Sequence, residues 1–138
     1  MSAPFNFGIK QLERMFPFYI HIDRNLKILN WGNSLDKVNS LKKGELFNEL
    51  FSIPRPQTSI SSFQDLIDLQ NQLIVLKPFL DKDFILRGQF ELLDERKEML
   101  FLGSPWFNSV EQIRENKLVI KDFANHDPLI DLLHVLKS

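Results

Sequence analysis

The chain has 138 residues, 43% hydrophobic and 25% charged, with a formal net charge of −1 and an isoelectric point near 6.3. That suits one soluble domain with a single core, and it advertises no basic surface for nucleic acid. The absence of cysteine excludes disulfides, thiol catalysis and cysteine-ligated zinc or iron–sulfur centres, and it fits a reducing cytoplasm.

The opening "MSAPFNFGIKQ" has no basic start followed by an apolar block, so no signal peptide is expected. In the next stretch, Phe5, Ile9, Leu12 and Phe16 recur at spacings of four, three and four. This predicts an N-terminal amphipathic helix over 1–16, closed by Pro17. "FYIHI" then alternates Phe18, Ile20 and Ile22 against Tyr19 and His21, a half-buried strand. "DRN" is a polar turn, and "LKILNW" is the returning strand, broken at Gly32-Asn33.

"SLDKVNS" and "GELFNELF" read as short helical pieces, the second placing Leu46, Phe47, Leu50 and Phe51 on one face. "IPRPQ" reads as a loop, because neither Pro54 nor Pro56 can donate to a ladder. Ser62 with Asp65 forms a capping-box pattern for a helix "SFQDLIDLQNQ". Three strands follow, from Gln72, Asp83 and Glu98, with "DERK" (94–97) as the hairpin turn between the last two. Ser109 with Gln112 caps "SVEQIREN". Apolar runs such as Leu73–Leu76 are far too short to span a bilayer, so no membrane insertion is expected.

Strand pairs joined by tight turns are antiparallel, and only the middle crossover runs through helices. The expected fold class is therefore α+β: a five-stranded antiparallel sheet with short helices on one face, plus N-terminal and C-terminal helices. That element order is the order of the PAS fold. The expected division is an N-terminal helix (1–16), a PAS-like domain (17–126) and the start of an output helix (127–138).

Catalytic signatures are missing. The five glycines, at 8, 32, 44, 88 and 103, never approach a phosphate-cradling spacing, and no serine has a nucleophile-elbow context. His21 is expected to face away from the main core or towards a partner. Arg87 and Gln89 share a strand face around Gly88, as a pocket wall, an exposed face or a dimer contact. His126-Asp127, with Asp131 and His134 beyond, superficially suggests a metal-dependent hydrolase, but too little chain follows to complete such a ligand set. The structural reading has a mechanism at each position. Asp127 accepts a backbone N–H as N-cap, Pro128 sits at N1, and Leu129, Leu132, Leu133 and Leu136 form an apolar stripe behind them. No catalytic, cofactor or metal residue is assigned.

The runs "FPFYIHIDRNLKILNWGNSL" (16–35), "RP" (55–56), "LRGQF" (86–90), "LFLGSP" (100–105) and "DFANHDPLIDL" (122–132) resemble the haem-NO-binding-associated domain. This PAS-like module follows the haem domain in soluble guanylate cyclases and occurs in bacterial histidine kinases encoded near haem nitric-oxide sensors. The resemblance implies a non-catalytic regulatory domain that homodimerises and relays a signal to a downstream coiled coil and effector. A haem NO-sensing domain or protein is the further partner implied. The expected dimer interface is Phe5, Ile9, Leu12 and Phe16; the expected relay junction is His126, Asp127, Asp131 and Leu132. Two departures stand out: Gly103 replaces the family's usual cysteine, and the connection from Pro78 to Asp83 is short, a compact bacterial form. The chain then reads as the N-terminal piece of a longer protein, most simply a cytoplasmic histidine kinase. The alternative expectation is a sensor holding haem or another small ligand among the Phe residues.

Overall fold

The computed structural model describes residues 8–80, 84–107 and 110–131. Helix α1 (Ile9–Met15) ends where the sequence places Pro17, and β1 (Ile20–Ile22) follows. The Asp23 carboxylate accepts the N–H groups of Asn25 and Lys27 at 2.8 and 2.9 Å. This reverses the chain into β2 (Ile28–Trp31) and a 3-10 turn at Asn33–Lys37. Next come α2 (Phe47–Leu50), β3 (Phe51–Arg55), β4 (Gln57–Thr58) and α3 (Phe63–Ile67). Strands β5 (Ile74–Pro78), β6 (Ile85–Leu93) and β7 (Glu98–Trp106) lead to α4 (Val110–Glu115) and a 3-10 turn at Ile120–Asp122.

The sheet has seven strands in the order β2-β1-β7-β6-β5-β3-β4, antiparallel at every pairing. The five strands read from the sequence occupy β2-β1-β7-β6-β5, so the α+β, PAS-like architecture stands. The strand count needs correction, because β3 and β4 extend the sheet beyond β5. Phe51, expected on a helix, instead opens β3 opposite Pro78, and "IPRPQ", expected as a loop, supplies the rest. Phe51 and Ile53 are buried on either side of half-buried Ser52, a strand period rather than a helical one. Pro54 is tolerated because it lies at the register irregularity between Ser52 and Arg55, near the sheet's edge. The helix expected over 62–72 is also shorter: α3 ends at Ile67, and Asn71 adopts a left-handed conformation before β5.

The two sheet faces differ. Phe18, Phe47, Phe51, Phe84, Phe90 and Phe101 are all essentially fully buried. Phe90 contacts Phe47 and Phe101 edge-on, at centroid distances of 6.1 and 5.6 Å, and Phe47 stacks on Phe51 at 5.4 Å. These rings pack against one another in the core on one face of the sheet. On the opposite face lie Tyr19, His21, Arg87, Gln89, Leu100, Leu102 and Trp106, following the strand alternation. Helix α1 stands over that second face.

Candidate functional site

The second face carries a groove of about 940 Å³ between α1 and the sheet. Ile9, Leu12, Met15 and Phe16 line its helix side; Tyr19, His21, Asn30, Leu100 and Leu102 form its floor. The β6–β7 turn, Leu92–Arg96, closes one end. Helix α1 has no fully buried residue, and Ile9 is 61% exposed. Of the four residues expected at a dimer interface, Ile9, Leu12 and Phe16 therefore line this groove, and Phe5 lies outside the described residues.

Two polar groups mark the groove floor. His21 Nε2 lies 2.7 Å from Glu98 Oε1, across the β1–β7 ladder. It faces away from the Phe-rich core, as its place in the strand alternation implied. Burial, reinforced by the Glu13 carboxylate, pushes the Tyr19 hydroxyl above the usual tyrosine value.

The C-terminal junction lies against the other end of α1. His126 Nε2 donates to the Met15 carbonyl oxygen at 2.9 Å, and its ring meets Phe16 edge-on at 6.0 Å. Asp127 is buried, and its Oδ1 accepts the Leu129 N–H at 3.0 Å, the N-cap geometry expected for it. Ile130 N–H and Asp131 N–H then bond back to the carbonyls of Asp127 and Pro128. Asp131 is exposed. Leu132 and His134 lie outside the described residues. His126 Nε2 and Asp127 Oδ1 are thus both engaged by backbone groups. Among the described residues, no three His, Asp or Glu side chains converge as metal ligands.

Sequence reasoning missed the group that anchors this junction. Asp122, itself buried, accepts Lys37 Nζ at 2.8 Å and the Val119 N–H at 2.7 Å. Ser34 Oγ donates to the Asp122 carbonyl at 2.6 Å, and Phe123 packs on Phe18 at 5.8 Å. Glu13 Oε2 accepts the Asn33 N–H at 3.1 Å, so α1 is tied to the same 3-10 turn. These partners lie up to 88 residues apart in sequence, and no local pattern signals them. Gly32 carried the one available hint. A Cβ there would lie 1.9 Å from the Pro17 carbonyl oxygen, so only glycine lets the turn close on the start of β1.

Among the described residues, no helix is long and apolar enough to cross a membrane. A family model described as Heme NO binding associated matches residues 5–83 and 79–136. The chain is 31% identical over 128 residues to guanylate cyclase soluble subunit beta-2 of Rattus norvegicus, covering 86% of this chain and 19% of that protein. It is 26% identical to guanylate cyclase soluble subunit alpha-1 of Rattus norvegicus (87% and 19% covered). It is 25% identical to guanylate cyclase soluble subunit alpha-2 of Homo sapiens (98% and 20%). The chain therefore spans about a fifth of the length of these relatives.

Proposed function

This chain belongs to the Heme NO binding associated family, and we propose that it is a non-catalytic regulatory and dimerisation domain of a signal-transduction protein. In this reading the parent chain is a cytoplasmic histidine kinase, and the domain relays the state of a haem NO sensor to a coiled coil and effector. The relatives named as soluble guanylate cyclase subunits support a signalling role. The short connection after Pro78 favours the compact, bacterial type of parent.

One observation carries the mechanism: the C-terminus of α1 contacts the residue just before the output helix, His126 on Met15 and Phe16. Residues 1–16 act as the dimerisation helix, 17–126 as the scaffold and 127–138 as the start of the output. Helix α1 leaves Ile9 exposed beside an apolar groove, the surface a second copy would cover. A change in subunit packing that moves α1 then pulls on His126, and Asp127 passes the displacement to the helix it caps.

Sedimentation equilibrium of the chain, with Ile9→Asp and Leu12→Asp beside the wild type, tests this. Dimers at tens of micromolar that dissociate in both variants are expected. A wild-type monomer at that concentration overturns the dimerisation reading.

A further inference from the structure

The sheet face that carries the α1 groove has a second half with a different chemistry. The register aligns Arg55 of β3, Val75 of β5, Arg87 of β6 and Ser104 of β7 in one row across four strands. Directly paired residues point to one side, so both guanidinium groups share this face. In the neighbouring rows Lys77 lies opposite Ser52, and Trp106 lies opposite Ile85. Adjacent strands are about 4.8 Å apart, which sets Arg55 and Arg87 roughly 10 Å from one another along the row.

Among the described residues, these cations have no ion-pair partner. The ion pairs among the described residues are His21–Glu98, Lys37–Asp122 and Glu111–Arg114, and none reaches Arg55, Lys77 or Arg87. Arg87 instead lies over the Trp106 ring, 5.0 Å from its centroid, while Trp106 stays 46% exposed and Arg55 is exposed. A chain with net charge −1 that gathers three cations around an exposed indole, none of them ion-paired among the described residues, has built a local positive field. The patch is small and set among apolar neighbours, unlike the long basic tracks that follow a nucleic-acid backbone.

We propose that this half of the sheet docks an acidic peptide segment of a partner protein, its carboxylates on Arg55, Lys77 and Arg87 and an apolar side chain on Trp106. Bidentate guanidinium–carboxylate pairing gives specificity, and the indole supplies the apolar anchor. The site is separate from the α1 groove and does not depend on the dimerisation reading.

A degenerate library of eight-residue peptides, each with three Asp or Glu, should be panned on the immobilised 138-residue chain. Parallel panning on Arg55→Glu and Arg87→Glu supplies the control. Arg55 is exposed near the sheet edge, so Arg55→Glu keeps the test readable if Arg87→Glu misfolds. Recovered peptides should quench Trp106-dependent emission, weaken with added salt and bind at least tenfold less to Arg55→Glu. No enrichment on the folded wild type overturns the proposal. Equal binding to the charge-reversed chain, or tighter binding of a single-stranded oligonucleotide than of any peptide, overturns it too.

Discussion

His126 donates from Nε2 to the carbonyl oxygen of Met15, 2.9 Å away and 111 residues earlier in the chain. A carbonyl only accepts, so the proton must sit on Nε2. The two ends of the described chain are therefore joined through one imidazole, with the Phe16 ring against its side.

Replacing His126 by alanine removes that bond and the edge contact, a loss of about 1 kcal/mol for an exposed interaction. The more telling readout is local. Amide hydrogen exchange in His126→Ala should speed up both in α1 and at residues 127–131. Faster exchange at the C-terminal junction alone would show that α1 is held by other contacts, and the coupling argument would fail.

Asp122 should matter more for stability than its position in a short 3-10 turn suggests. Its carboxylate holds a backbone N–H and a lysine ammonium, and its carbonyl holds Ser34. Asp122→Ala leaves the Val119 N–H without its acceptor and is expected to cost about 2 kcal/mol in urea unfolding. Lys37 is 40% exposed, so Lys37→Met should cost well under half as much. A reversed order would mean that the ion pair, not the backbone bond, anchors the junction.

A pH dependence follows from the start of α3. The Asp65 carboxylate accepts the N–H groups of Ser61 and Ser62 at 2.8 and 3.0 Å, and these bonds hold its pKa below the ordinary value of 3.8. A depressed folded value favours the charged form, so the contribution is complete above the unfolded pKa and lost as pH falls through the folded one. Asp65→Ala should melt below the wild type at neutral pH. The gap should close in acid, beneath both values. A gap independent of pH would assign the effect to helix propensity instead.

How much of this was legible in the sequence depended on range. The alternation of Phe18, Ile20 and Ile22, and of the residues around Gly88, marked strands without help, because burial on one face imposes a period of two. The cap at Asp127 was equally local. Phe51 was misread because Leu46, Phe47 and Leu50 set up a helical face whose next member it also fits; pairing with Pro78 decided otherwise. "IPRPQ" was misread because a proline rule valid for a regular ladder was applied at a register irregularity. The Ser34–Asp122 and Met15–His126 bonds join segments far apart in sequence, and no spacing rule reaches across such distances.

Gly88 and Gly103 face each other across β6 and β7, and both are needed for that close approach. A Cβ on Gly88 would meet the Leu102 carbonyl oxygen at 2.1 Å and the Gly103 Cα at 2.6 Å. One on Gly103 would meet the Arg87 carbonyl oxygen at 2.4 Å and two Phe101 ring atoms at 2.9 Å. Backbone atoms in a paired ladder cannot step aside singly, so the strands must part. Gly88→Ala is therefore expected to cost about 3 kcal/mol or more in urea unfolding, at the upper end for overpacking. Gly103→Cys, which installs the residue usual in the family resemblance, should cost a similar amount here, since the clash begins at Cβ whatever follows it. It should also shift Trp106 emission, because displacing the Arg87 backbone disturbs the stack on that indole. An unchanged unfolding midpoint for Gly103→Cys would show that β6 and β7 can separate freely, and the close approach would then be incidental.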